Sequence, residues 1–162
     1  MSGKFEQLLE SLGQTVGISG LKPDAEGYCC LGFDDLVVHF QHSAGDDSLL
    51  IFSRLAEINT DDVQQLYGKL LSANNFWQGT GGATLGVDTD EEAVYLAHRL
   101  PVSVLTATTF DHELSAFVAA AERWAKEITG FVADDVTDGL LDRAKKAISD
   151  ASAKGRDEVI FT

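Results

Sequence analysis

The stretch over residues 28–58, YCCLGFDDLVVHFQHSAGDDSLLIFSRLAEI, constrains the fold of this 162-residue chain most strongly. It reads as three short strands. The second (36–41) and third (49–55) flank the turn Ala44-Gly45-Asp46-Asp47 and are expected to form an antiparallel hairpin. Neither alternates cleanly. Val37 and Leu50 are apolar where a one-sided sheet would carry polar residues. A sheet apolar on both faces has to be covered on both. Helices of this chain can supply one cover; the second has to be looked for.

The rest of the chain supplies those helices. Phe5, Leu8, Leu9, Leu12 and Val16 form one stripe of a helix over 4–16. Gly13 and Gly17 weaken its end, and Gly20 with Pro23 mark a loop before the first strand (28–33). After the third strand, Asn59 or Thr60 is expected to cap a second helix, with Asp61 and Asp62 in its first turn. Val63, Leu66, Tyr67, Leu70 and Leu71 are its apolar face, and it stops at Asn74-Asn75. Phe76 and Trp77 follow, then the glycines of 78–82, read as a flexible connection. A short strand (83–87) and a longer one (93–100, stopped by Pro101) come next. Thr109 is expected to cap the longest helix. Its residues Phe110, Leu114, Phe117, Ala121, Trp124 and Ile128 step by four and three, the seam of a helix packed along its length. Gly130 is expected to end it, and an amphipathic segment over 134–153 and a short apolar tail follow. The expected fold is α+β: helix, three strands, helix, two strands, helix. It is a twisted antiparallel sheet with helices on one face, in a domain over 1–129 with a C-terminal helical extension and tail over 130–162.

Net charge is −14, and 19 acidic against 7 basic residues precede Gly130, so the acidity belongs to the main domain. Such a surface argues against nucleic acid and anionic membranes and leaves polypeptide partners open. The N-terminus carries no secretory signal pattern, and no stretch nears the roughly 20 apolar residues of a membrane span. Adjacent Cys29 and Cys30 would point to opposite faces of a strand, which suits small buried side chains in a reducing compartment, here the cytoplasm.

Signatures of catalysis and of ion binding are missing. His39, His42, His98 and His112 lack metal-ligand spacing, and no metal or cofactor is expected. The glycines of 79–82 precede a strand rather than a helix, so no helix N-terminus awaits a phosphate. Asp88, Asp90 and Glu92 imitate a calcium loop, but Ala93 and Arg99 stand where its Gly and Glu are required. A solvated turn is the better reading.

Taken together, FEQLLESLGQTVGISGLKPDAEGYCCLGFDD, SLLIFSRLAEI and the run from NNFWQGTGG to AAAERWAKEI resemble the class I chaperones of bacterial type III secretion, the Tir chaperone family. The resemblance covers about 4–128. It rests on apolar spacing, a Gly-Tyr-Cys strand, the Leu-Pro stop and a long last helix with a spaced Trp. It implies a cytoplasmic, non-enzymatic homodimer. Such a protein binds the N-terminal segment of a secreted effector in extended form and keeps it soluble and secretion-competent. It further implies a dimer built on the second helix and fourth strand, here Val63, Leu66, Tyr67, Leu70 and Leu85 with Phe76 and Trp77 beside them. A regulatory or adaptor domain of the same fold that binds a folded partner is the alternative.

The residues themselves indicate where an extended peptide would sit. Pairing Phe40 with Leu49 puts Leu36, Val38, Phe40, Leu49, Ile51 and Leu55 on one sheet face. Val37, His39, Leu50, Phe52 and Arg54 share the other, and a one-residue slip would change which third-strand residues join each set. This mixed face is the expected effector-binding side. Phe5 and Leu8 are further candidates, although a helix stripe usually faces its own core.

Overall fold

Helix α1 (Lys4–Val16) opens the fold of the computed structural model, which describes residues 3–154, with side chains described through Phe131 and at Lys145 and Lys146. Phe5, Leu8, Leu9 and Leu12 are buried, whereas Val16, one turn further on, is exposed. The helix ends in a left-handed Gly17 (φ 76°), whose N–H donates to the Gly13 carbonyl; Ile18 N–H reaches the same oxygen at 2.8 Å. A Cβ on Gly13 would stand 2.5 Å from the Ile18 carbonyl oxygen, so this turn requires glycine.

Strands β1 (Tyr28–Phe33), β2 (Leu36–Ser43) and β3 (Ser48–Glu57) follow, then α2 (Val63–Asn74), β4 (Thr84–Asp88), β5 (Ala93–Pro101) and α3 (Ala107–Lys154). The five strands form one antiparallel sheet in the order β1-β2-β3-β5-β4. The β2–β3 hairpin pairs Phe40 with Ile51 rather than Leu49, because a four-residue turn closes on the pair Ser43–Ser48. Asp47 takes φ 50° in this turn, and the Asp46 carboxylate accepts from Ser48 N–H and Oγ–H. The displacement is two residues, so both faces keep the membership expected from the sequence.

The inner face is the core. Leu36, Val38, Phe40, Leu49, Ile51, Leu55, Val94, Leu96 and Leu100 are buried with the α1 stripe and the α3 seam. Each large side chain so buried is worth about 1.5–3 kcal/mol relative to exposure. Phe40 meets Phe110 at a ring separation of 6.1 Å. Buried Ser53 donates to the Val37 carbonyl at 2.8 Å, where the β2–β3 ladder has already ended at His39–Phe52.

Three local expectations are corrected. Asp62, not Asn59 or Thr60, caps α2, accepting from Gln65 N–H at 3.0 Å; Thr60 Oγ1 instead accepts from Asp62 N–H. Thr106 begins α3: its Oγ1 accepts from Thr109 N–H at 3.2 Å, and Thr109 Oγ1 accepts from Thr106 N–H at 2.8 Å, a reciprocal cap. The glycine connection over 78–82 is a hydrogen-bonded turn: Gly79 O accepts from Trp124 Nε1 at 2.8 Å and from Arg123, and Thr80 is buried.

Helix α3 runs unbroken through Gly130 to Lys154. One glycine costs a helix about 1 kcal/mol and does not stop it without a left-handed turn. The extension expected over 134–153 is therefore a continuation of the same helix, and the tail lies outside the described residues. Among the described residues no helix is long and apolar enough to cross a membrane.

Candidate functional site

The outer face of the sheet is the candidate site. Ladder parity sets Cys30 beside His39, His39 beside Phe52, and Phe52 beside Ala97 in one row. A second row runs Tyr28, Gln41, Leu50, Arg99. Arg54 lies opposite Tyr95. Among the described residues no element is laid over this face: Val37 and Leu50 are 47% and 37% exposed, and Cys30, Arg54 and Arg99 are exposed. The five outer-face candidates Val37, His39, Leu50, Phe52 and Arg54 thus share one surface. Phe5 and Leu8 do not join it, because both are buried in the core on the opposite side of the sheet.

The centre of the face is a short stack. The His39 ring lies on Phe52 with centroids 4.8 Å apart and planes 14° from parallel. Tyr28 Oη and His39 Nδ1 share a hydrogen bond of 2.8 Å. Hydrogen bonding toward Cys30 and partial burial hold the Tyr28 phenol above its ordinary range. Arg54 pairs with Glu57 at 3.5 Å, Arg99 pairs with Asp46 in the hairpin turn, and Tyr95 Oη–H donates to Glu91 at 2.5 Å. The Ser48 hydroxyl, foremost, keeps the Asp46 carboxyl below its usual range.

Each rim of the sheet is partly occupied. On β1, Tyr28 N–H donates to Asp24 Oδ1 at 2.9 Å and Tyr28 O accepts from Asp24 N–H at 2.8 Å. Antiparallel alternation then turns the N–H and C=O of Cys30 and Gly32 outward as well, and both residues are exposed. On β4, Asn74 occupies the rim at Leu85, the second residue of the strand: Nδ2 donates to Leu85 O and Oδ1 accepts from Leu85 N–H, both at 2.8 Å.

A second apolar patch surrounds α2 and β4. Of the residues expected there, Leu66, Leu70 and Leu85 are buried in the domain's own core, and Val63 and Tyr67 are half-buried. Phe76 (76% exposed) and Trp77 (54%) project outward, and Leu71 is 70% exposed beside them. Both aromatics have φ 53°, a left-handed backbone that costs a non-glycine residue about 1–2 kcal/mol. A groove of 280 Å³ lies alongside, lined by Tyr67, Leu71, Leu85 and Val87 among others.

Sequence reasoning missed Cys30, Arg99 and Asn74. The alternation of Tyr95, Ala97 and Arg99 along β5 carried the signal for Arg99. Asn74 pairs with a residue eleven positions away, which no local pattern reports. Asp88 Oδ1 accepts from the N–H groups of Asp90 and Glu91, both at 3.0 Å, as a solvated turn does. Among the described residues no group of three or more His, Cys, Asp or Glu side chains could hold a metal.

An open, mixed apolar and cationic sheet face defines a protein-binding module. Residues 7–125 match the Tir chaperone protein (CesT) family, and the chain belongs to it, among the class I chaperones of type III secretion. The Tir chaperone of Escherichia coli O157:H7 is 24% identical over 122 residues, covering 75% of this chain and 78% of that protein. A chain of the ExsC–ExsE complex superposes with TM-score 0.67 at 25% identity, over 76% of this chain and 92% of the other. The HopA1–SchA chaperone–effector complex gives 0.63 at 19% identity, over 76% and 94%.

Proposed function

We propose that this protein binds the N-terminal segment of a secreted effector in extended form and keeps that segment soluble and secretion-competent. The uncovered outer face carries the reading, with Val37 and Leu50 exposed on either side of the His39–Phe52 stack. An extended peptide offers alternating side chains and unpaired backbone groups. The face receives the side chains of one stretch of the segment, and the outward groups of Cys30 and Gly32 receive the backbone of another stretch that reaches the β1 edge. A related complex described as chaperone with effector supports the same use here. The effector-binding residues are Val37, His39, Leu50, Phe52 and Arg54.

The functional unit is a homodimer in the bacterial cytoplasm. It has no enzymatic activity and needs no cofactor, and its chaperone domain spans 1–129, with 130–162 as an extension. The patch of Leu71, Phe76 and Trp77, with Tyr67 and Val63 at its margin, is the dimer surface, because it exposes large apolar side chains on a strained backbone.

Co-expression with effectors encoded nearby, followed by pull-down and limited proteolysis, tests this function. The effector N-terminus is expected to change from protease-sensitive to protected. A partner that binds only as a folded domain, with no protected segment, would instead support the adaptor reading.

A further inference from the structure

Cations are scarce in this domain, and their placement is selective. Seven basic residues stand among 19 acids before Gly130. Lys4 is bound to the Ser103 carbonyl, Lys69 pairs with Glu127, and Arg123 is committed to Gly79 O. Lys22 is exposed in the loop before β1 and Lys126 is exposed on α3, whereas the other two arginines, Arg54 and Arg99, both lie on the uncovered sheet face. We infer that this face selects an extended peptide with the pattern acid-x-apolar-x-acid, its two carboxylates on Arg54 and Arg99 and its apolar residue on Phe52. The inference rests on the peptide-binding function proposed above and specifies which peptides that site takes.

Strand geometry sets the spacing. Arg99 is level with Leu50 and Arg54 lies four residues along the same strand, with Phe52 midway. At about 3.4 Å per residue, four residues span roughly 14 Å. An extended peptide running with the strands presents facing side chains every second residue. Its positions i and i+4 are then also roughly 14 Å apart, with i+2 between them. Arginine suits this task better than lysine, since its planar guanidinium grips a carboxylate with two parallel N–H donors.

Groups of opposite effect share the face. Glu57 and Asp46 already pair with the two arginines, Glu91 lies beside Tyr95, and His39 is stacked on Phe52 from the β2 side. Exposed pairs of this kind are screened by solvent and contribute little, so a better-desolvated carboxylate can displace them. The charge of −14 opposes acids at long range, which makes the match a local one.

The test uses the full chain and fluorescein-labelled synthetic peptides of fifteen residues centred on Asp-Thr-Leu-Thr-Asp, with Asn and Lys versions of both acids, read by anisotropy. The Asp peptide is expected to bind about tenfold more tightly than the Asn peptide. The double variant Arg54→Gln/Arg99→Gln is expected to lose that preference, while Glu57→Gln, which frees Arg54, tightens binding. Asn or Lys peptides binding as well as Asp, or a double variant that keeps the preference, overturns the inference. An effector segment bound equally by wild type and double variant would overturn the acid pattern and leave the chaperone function standing. No binding of any peptide or effector segment would overturn both.

Discussion

Asn74→Ala tests how the sheet rim is held. The Asn74 amide acts like a strand's backbone, donating to Leu85 O and accepting from Leu85 N–H at 2.8 Å each. Both contacts are partly buried, so their loss leaves one donor and one acceptor imperfectly solvated. At about 0.5–1.5 kcal/mol per bond the change should cost about 2 kcal/mol. With a urea m-value near 2 kcal/mol/M, that lowers the midpoint by about 1 M, or Tm by about 4–8 °C. Asn74→Asp keeps the acceptor for Leu85 N–H but sets a carboxylate against Leu85 O, and should be at least as damaging. Asn75→Ala, one position on, is the control for helix-end effects. Urea melts at two protein concentrations separate this loss from any dimer contribution, because only the latter shifts with concentration. A midpoint change under about 0.2 M for Asn74→Ala, or an equal change for Asn75→Ala, would refute the claim that this side chain pins β4.

Further outcomes are expected. Gly13→Ala meets the Ile18 carbonyl and should destabilise by about 1–3 kcal/mol in the same melts. Thr106→Ala removes one side of the reciprocal cap of α3 and should cost about 1 kcal/mol. Leu71→Asp with Phe76→Ser should keep native circular dichroism yet give monomers by light scattering; Leu66→Asp, in the core, should unfold the chain. A dimer surviving the exposed pair of changes would exclude that patch. Glu91, foremost, holds the Tyr95 phenol above its ordinary pKa of 10.0. The stabilisation this gives is full below that value and disappears as pH rises through the higher folded-state pKa. Ultraviolet titration of Glu91→Gln should show Tyr95 ionising at lower pH than in the wild type.

Parity explains why the candidate face was legible in the sequence. Side chains alternate with period two, so a hairpin pairing two residues away from the expected one still grouped Val37, His39, Leu50, Phe52 and Arg54 together. The α3 seam was equally plain, because six residues repeat its spacing and all are buried. What escaped were features decided by contact across the fold. Thr106 and Asp62 were passed over as caps because neighbouring Thr, Asn and Asp residues compete on local grounds. Gly130 does not stop α3, because glycine ends a helix only where the chain turns left-handed, as at Gly17. Phe5 and Leu8 are further candidates in the sequence although their helical stripe points to the core, where both are buried.

The two occupied rims also bear on counting. A sheet with both edges bare could add strands without limit, copy upon copy, as a fibre does. Here Asn74 closes β4 at Leu85, and Asp24 closes the start of β1. Only the short run at Cys30 and Gly32 stays open to backbone pairing on the β1 side, long enough for a few residues of one visiting strand. The chain therefore offers one berth on that edge, and the rim that would pass the pairing on to a further molecule is already occupied at Leu85.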